Sequence, residues 1–237
     1  MRPTPRKHFK LSNQQFNNSL ANLSKNMLRS HQISCHRGKN VLWESLDLEV
    51  GPGELLFIKG ANGQGKSSLL RILAGLATPN SGSVTWDHVL IQKITDTYHP
   101  NLLYLGHTIA LQSEMSAIAN LQFLLRIHGH NIPQQAIHNK LLEWGLSHKT
   151  IQLPTRLLSQ GQKQRVALTQ LSLSQSSLWI LDEPFNGLDQ IGTEHLYQTM
   201  LHHLQNKGFL ILTSHLHQNF QHVLANDPAL QEKIITL

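Results

Sequence analysis

The segment IKGANGQGKSSLLRILAGL, residues 58–76, constrains the fold more than any other part of the 237-residue chain. An apolar run ends at Gly60, a polar stretch with two more glycines follows, and Lys66 and two serines open a new apolar-periodic run. Glycines at such a place lose conformational entropy on folding and bury no side chain, so packing does not explain them. A ligand that must approach the main chain closely would explain them.

The same segment fits the pattern G-x-x-x-x-G-K-[ST] between a predicted strand and a predicted helix, which is the context that a phosphate-binding loop requires. The glycines let successive backbone N–H groups point into one concavity, and the helix start adds the positive end of its dipole. Lys66 is predicted to reach the β- and γ-phosphates, and the Ser67 hydroxyl to bind Mg²⁺. The alternative is an ordinary glycine turn. The predicted phosphate loop consists of Gly60, Ala61, Asn62, Gly63, Gln64, Gly65, Lys66, Ser67 and Ser68.

A second candidate site lies in SLWILDEP, where an apolar run ends in Asp182 and Glu183. Acids at the C-terminal end of a buried parallel strand stand where α/β sheets bind ligands. We expect Asp182 to hold the magnesium ion, directly or through a water. Glu183 is expected to accept a proton from a water that attacks the γ-phosphate. The alternative is a charged strand end that merely reaches solvent.

The order of apolar patterns predicts strands that alternate with helices, and therefore a mostly parallel α/β sheet. Strands are expected in VLWESLDLEV and ELLFIK, paired across Pro52 and Gly53, and in SVTW, NLLYLG, SLWILDEP, FLILTSH and KIITL. Helices are expected from Ser67 to about Leu73, closing near Gly75, in the region from Leu111 to Leu153, and around Leu196, Met200 and Leu204. Two apolar stripes mark the middle region, one of Leu121, Leu124 and Leu125 and one of Ile137, Leu141 and Trp144.

Charge divides the chain into a basic extension, residues 1–29, and a body, residues 30–237, that is expected to form one domain. Six basic side chains and no acid precede residue 31, whereas basic and acidic side chains balance after it. The extension is open to three interpretations: a disordered tail, a start assigned upstream of Met27, or a targeting segment. A neutral body does not favour nucleic acid as a partner.

Two further features bear on the setting of the chain. The lone cysteine, Cys35, excludes an internal disulfide and fits a reducing compartment. No apolar run approaches the roughly 18 to 20 residues that cross a bilayer, so a membrane role would need spans from a partner.

The stretch LLSQGQ decides among the many classes of phosphate-loop protein. Leu158, Ser159, Gly161 and Gln162 fit the LSxGQ signature, and the chain therefore resembles the ATP-binding-cassette (ABC) ATPases. The resemblance implies a phosphate-loop fold of ABC type, with a mostly parallel core, an antiparallel β subdomain and a small helical subdomain at about residues 109–155. It also implies a head-to-tail dimer, in which Ser159, Gly161 and Gln162 face the γ-phosphate that the other copy holds. The alternative for this serine and glycine is a simple helix N-cap.

Other landmarks of the family follow in order. FNGLD, ending in Asp189, resembles the D-loop, and His215 in LTSH matches the switch histidine that contacts the γ-phosphate. The position of the coupling glutamine holds His107, followed by Thr108. The aromatic residue that stacks on adenine should fall near His36, where the sequence has no Phe, Tyr or Trp.

Within the family, TDTYHPNLLYLGH and LWILDEPF resemble the ATP-binding subunits of cytochrome c biogenesis, once called haem exporter ATPases. The resemblance implies ATP and Mg²⁺ as ligands and integral membrane partners of the CcmB and CcmC type. It also implies a peripheral location on the cytoplasmic face of the inner membrane, with no direct haem contact. An exporter of another substrate and a soluble ABC ATPase acting on ribosomes or DNA are the alternatives. The 16 histidines, including HGHN and LHHL, fit no closed metal site.

Overall fold

The computed structural model describes residues 26–214 and 230–237. The strands are β1 (Leu28–Arg37), β2 (Asn40–Val50), β3 (Glu54–Lys59), β4 (Ser81–Trp86), β5 (Val89–Leu90), β6 (Leu102–Leu105), β7 (Leu178–Asp182), β8 (Phe209–Thr213) and β9 (Gln231–Thr236). The helices are α1 (Lys66–Leu73), α2 (Thr95–Tyr98), α3 (Ala117–Ile127), α4 (Gln134–Glu143), α5 (His148–Gln152), α6 (Gln160–Thr169) and α7 (Gln190–Gln205). Short 3₁₀ helices cover Ile91–Lys93, His99–Asn101, Thr155–Leu157 and Gln170–Ser172.

These strands form two sheets. The first has the order β6-β7-β8-β3-β9 with every neighbouring pair parallel, and the second has the order β2-β1-β4-β5 with every pair antiparallel. The predicted parallel α/β sheet and its antiparallel companion are therefore confirmed. Within the described residues, no helix combines the length and the apolar character needed to cross a membrane.

The predicted pairing of VLWESLDLEV with ELLFIK is wrong. The first of these segments, β2, pairs with β1, whereas β3 lies in the other sheet between β8 and β9. Burial explains the separation, because Leu55–Ile58 are buried on both faces of β3 while β2 alternates between buried and exposed positions. β1 begins at Leu28, inside the predicted extension, and the division into one extension and one domain stays a prediction.

The parallel sheet is buried on both faces because its strands alternate between two cores. Leu56 and Ile58 of β3 join the core that contains Leu69 and Leu73 of α1, and the antiparallel sheet covers the same side. Leu55 and Phe57 join the opposite core, which includes the predicted stripe of α7, namely Leu196, Met200 and Leu204. This layering holds the ends of β3, β7 and β8 at one edge.

The middle region folds into the predicted helical arm. Leu121 and Leu125 of α3 pack with Ile137 and Leu141 of α4 in a third core. Leu124 and Trp144 depart from the predicted stripes. Leu124 is only half-buried, and Trp144 joins the core of α7, where its indole N–H donates to Ser172 Oγ at 3.1 Å.

A stacked pair of rings lies on the α7 side of the parallel sheet. The rings of Trp179 and His203 are 3.6 Å apart between centroids and tilted by 5°. Gly208 is needed beside them because a Cβ there would overlap the imidazole. Burial lowers the pKa of His203 from 6.5 to about 4.

We expect this histidine to make the protein less stable in acid. The unfolded chain takes up a proton at His203 below its ordinary pKa of 6.5, and the folded chain only near 4. The free energy of unfolding therefore falls between these two values as the pH falls, by about 3 kcal/mol at most. Denaturant unfolding at pH 7.5 and 5 would measure the loss. His203→Phe keeps a stacked ring without a titrating group, so it should lose less stability than the wild type over that range. Equal losses in the two proteins would contradict this assignment.

Candidate nucleotide-binding site

The phosphate loop connects β3 to α1 through glycines in left-handed backbone conformations. The φ angles are 87° at Gly63 and 92° at Gly65, where L-residues with side chains are strained. A Cβ on Gly65 would also lie 2.8 Å from Trp43 Nε1 and 3.0 Å from Leu42 Cδ1. Residue 65 must therefore be glycine for two reasons. Its backbone angle strains other residues, and β2 packs too closely against it to leave room for a side chain.

Inside the loop, polar side chains bond to the main chain. Lys66 Nζ donates to the carbonyl oxygens of Gly60 at 2.8 Å and Ala61 at 3.3 Å. The N–H of Ala61 donates to Gln64 Oε1 at 2.5 Å. These bonds hold the ammonium group near the start of α1. A phosphate bound there would give Lys66 a charged acceptor in place of the two neutral carbonyl oxygens.

Asp182 and Glu183 stand at the C-terminal end of β7, as predicted, and Thr213 of β8 fixes both. The Thr213 hydroxyl donates to Asp182 Oδ1 at 2.7 Å, and it accepts the backbone N–H of Glu183 at 3.0 Å. Asp182 is buried, with 4% of its surface exposed. Glu183 has a φ of 51°, an uncommon value for a residue with a side chain, and strained residues of this kind concentrate at functional sites.

A cavity of about 380 Å³ brings the two predicted parts together. Its lining consists of Arg37, Leu42, Asn62, Gly63, Gly65, Lys66, Ser67, Ser68, His107, Asp182, Glu183 and Asn186. Gly60, Ala61 and Gln64 of the predicted loop do not line it. Gly60 and Ala61 instead offer their carbonyls to Lys66. His215 lies outside the described residues.

The sequence interpretation missed four residues of this region: Arg37, Leu42, Asn186 and Thr213. It placed the adenine contact near His36, but His36 is absent from the cavity lining. Its imidazole Nε2 lies 3.3 Å from Glu44 Oε1, and its backbone N–H donates to Asn80 Oδ1 at 2.8 Å. The neighbouring residue, Arg37, lines the cavity. Strand alternation could have shown that these two adjacent side chains point to opposite sides.

The signature residues lie apart from this cavity. Ser159 is the N-cap of α6: its hydroxyl accepts the N–H of Gln162 at 3.2 Å, and Gln162 Oε1 accepts the N–H of Ser159 at 2.9 Å. This capping box is the helix N-cap that the sequence left open as an alternative. Ser159 is exposed, and neither it nor Gly161 nor Gln162 lines the cavity of its own chain.

Helix α6 is tied to the segment that follows Glu183. A Cβ on Gly161 would lie 2.8 Å from the carbonyl oxygen of Gly187, so only glycine allows this approach. Arg165 Nη2 lies 2.5 Å from Asp189 Oδ2, and Gln164 donates to the carbonyl of Pro184 at 2.8 Å. The N–H of Gly192, with the guanidinium of Arg165, holds the pKa of Asp189 below its usual value.

A second groove of about 460 Å³ starts beside the cavity and runs along the helical arm. His107, Ser67 and Asp182 line both spaces. The rest of the groove is mixed: it includes apolar side chains such as Ile109, Leu111 and Leu124 and polar ones such as Arg71, Gln164 and Gln170. A ligand in the cavity would therefore lie next to the end of the groove that His107, Ser67 and Asp182 form.

The family model described as "ABC transporter" matches residues 43–186, which contain the phosphate loop, the signature helix and the acidic strand end. The chain belongs to the ABC transporter family. Within this family it is the ATP-hydrolysing type of subunit, a nucleotide-binding cassette, and the resemblance deduced from LSQGQ is confirmed.

Curated relatives named "Cytochrome c biogenesis ATP-binding export protein CcmA" resemble this ABC cassette along most of its length. The Vibrio cholerae protein is 39% identical over 206 residues, 87% of this chain and 97% of the relative. The Haemophilus influenzae protein is 45% identical over 193 residues, 79% of this chain and 88% of the relative. The chain thus belongs with the CcmA group of the family. The solved "Dimeric Structure of MJ0796, a Bacterial ABC Transporter Cassette" has a TM-score of 0.74 at 20% identity and covers 89% of this chain and 94% of that one, which shows a shared fold.

Proposed function

We propose that this ABC cassette hydrolyses ATP to drive a membrane complex of cytochrome c maturation, the process that exports haem or releases a haem-loaded chaperone. The observation that carries the ATPase part is the single cavity that joins Lys66, Ser67, Asp182 and Glu183. The names of the CcmA relatives, which are about 40% identical over most of the chain, support the cytochrome c part.

The cavity supports hydrolysis by positioning and charge. The triphosphate would rest on the backbone N–H groups of the loop, with Lys66 beside the β- and γ-phosphates. Glu183 would take a proton from a water whose oxygen attacks the γ-phosphorus. A bond forms from that oxygen to phosphorus, and the bond to the β–γ bridging oxygen breaks, which leaves ADP and phosphate. We assign His215 to the γ-phosphate on the family resemblance alone.

The residues present fit a magnesium ion. The Ser67 hydroxyl and the Asp182 carboxylate are hard oxygen donors that line the same cavity, and Mg²⁺ is typically bound by one or two carboxylates together with substrate phosphates. Ser67 and Asp182 would hold the ion, and Thr213 orients the carboxylate. When bound, Mg²⁺ neutralises charge on the phosphate oxygens in the transition state.

We further propose that two copies complete the catalytic site. Ser159, Gly161 and Gln162 lie at the N-terminus of α6 and outside the cavity of their own chain, and a triphosphate held by a second copy would meet them there. The solved MJ0796 cassette, which shares this fold, is described as dimeric, and this is consistent with such an arrangement.

The membrane partners would be integral subunits of the CcmB and CcmC type, and the cassette would lie on the cytoplasmic face of the inner membrane. The groove along the helical arm supports this docking, because it presents apolar side chains such as Ile109 and Leu111 and shares His107 with the cavity. His107 would then sense the γ-phosphate in place of the coupling glutamine. No nucleic acid and no direct haem contact are part of the proposal.

Co-expression with CcmB- and CcmC-type subunits tests this proposal. We expect the chain to sediment with membranes only when those subunits are present. Ile109→Glu places a charge in the groove and should reduce recovery with the membranes several-fold, whereas Val89→Glu, at an exposed position on β5, should not. If the amount of chain recovered with membranes were the same with and without these subunits, the proposed partners would be refuted and the soluble alternative favoured.

A further inference from the structure

The nucleotide cavity has a part that the antiparallel sheet supplies. Arg37 ends β1 and Leu42 lies near the start of β2, so the two side chains belong to one hairpin that reaches over the phosphate loop. Leu42 contacts the loop directly, because its Cβ and Cδ1 lie 3.3 and 3.0 Å from the position of a Cβ on Gly65. The hairpin is thereby held in place beside the proposed phosphate site.

Most of the other lining residues have tasks in the proposed hydrolysis. In that proposal the lining residues of the loop would hold phosphates, Asp182 and Glu183 would act on the ion and the water, and His107 would sense the γ-phosphate. Arg37, Leu42 and Asn186 have no task in it, and of these three Arg37 and Leu42 share the β1–β2 hairpin. Among the described residues that line the cavity none is Phe, Tyr or Trp, so the described part of the chain places no aromatic ring there for the base.

The chemistry of this pair suits a flat purine. Arg37 is exposed, and within the described part of the chain its guanidinium has no hydrogen bond or ion pair to another side chain. A guanidinium plane stacks on aromatic faces, and its exposed position on the hairpin leaves it available to do so. Leu42 offers a half-buried apolar surface for the same ligand.

We propose that Arg37 and Leu42 form the platform for the base of a purine nucleoside triphosphate, in place of an aromatic ring. This inference rests on the proposed function of the cavity. Stacking on the ring face does not distinguish adenine from guanine. The edge of an arginine carries only hydrogen-bond donors, and guanine offers them acceptors at least as good as those of adenine. The site therefore takes ATP and GTP with similar affinity.

The test uses the full chain with Mg²⁺ and three probes: ATP, GTP and inorganic tripolyphosphate, which has no base. Arg37→Ala should weaken ATP and GTP binding about three- to tenfold and tripolyphosphate binding by no more than about twofold, because the stacking contact is lost and the charge of an exposed guanidinium is screened. Arg37→Tyr should restore or improve binding of both nucleotides.

Two variants on the same hairpin are matched controls. Lys39→Ala removes a cation that does not line the cavity, and His36→Ala removes the imidazole that faces Glu44. Neither change should alter binding of any probe by more than about twofold.

Three results would overturn the platform. ATP binding could be unchanged in Arg37→Ala, tripolyphosphate could weaken as much as ATP, which would make Arg37 a phosphate ligand, or the wild type could bind ATP far more tightly than GTP. A wild-type chain that binds neither nucleotide nor tripolyphosphate would instead refute the proposed function itself, and the inference with it.

Discussion

Replacing Glu183 by glutamine is expected to lower the rate of ATP hydrolysis by about 100- to 10,000-fold, the range that a general base contributes. Glutamine has the size of glutamate and cannot take a proton from water. The backbone of residue 183 is held by its N–H bonds to the carbonyl and hydroxyl of Thr213, so the site should keep its shape. ATP binding should persist, and the nucleotide-bound dimer should live longer. Phosphate-release assays measure the hydrolysis rate, nucleotide-binding assays measure the retained affinity, and size-exclusion chromatography with ATP measures the dimer.

Glu194→Gln is the matched control for this change. Glu194 is an exposed residue on α7 whose carboxylate accepts a hydrogen bond from Gln198, and it is absent from the cavity lining. The same chemical replacement there should leave hydrolysis within about twofold of the wild type. Normal turnover by Glu183→Gln would remove Glu183 from the role of base.

Mixing two inactive variants should restore activity if the site is built from two chains. Lys66→Ala removes the ammonium group of the phosphate loop, and Ser159→Arg places a bulky cation at the N-terminus of α6. Each variant alone is expected to lose nearly all hydrolysis. In an equal mixture, half of the dimers are mixed, and each mixed dimer has one intact site of two. About one quarter of wild-type activity should therefore return.

Ser147→Arg serves as the control for the serine change. Ser147 is also an exposed N-cap, at the start of α5, and its hydroxyl accepts the N–H of Thr150 at 3.1 Å. This variant loses a cap of the same kind, worth about 1 kcal/mol, and should retain hydrolysis. Mixed dimers that form but stay inactive would argue against shared sites, as would normal activity of both variants when they are kept apart.

The parts of the site that could be predicted from the sequence are those encoded by neighbouring residues. The phosphate loop, the signature cap and the acidic strand end each lie within a few consecutive positions, and local rules for glycine, caps and apolar runs suffice to place them. The central strands were also predictable, because a run such as LWILD is buried on both faces only in the middle of a parallel sheet.

The missed features depend on pairings between distant residues. Thr213 meets Asp182 across 31 positions, and the contact of Leu42 with Gly65 joins β2 of one sheet to the loop that follows β3 of the other. The predicted pair of β2 and β3 failed for the same reason. A turn at Pro52 and Gly53 favours a hairpin, but the two strands gain more burial in separate sheets.

The hydroxyl of Thr213 couples the positions of Asp182 and Glu183. One uncharged oxygen on β8 fastens both the carboxylate of Asp182 and the main chain of Glu183. Asp182 and Glu183, the proposed metal ligand and proton acceptor, therefore both take their alignment from one residue of the adjacent strand. A shift of β7 relative to β8 would displace both acids together. Both proposed roles would therefore be lost at the same time, not one after the other.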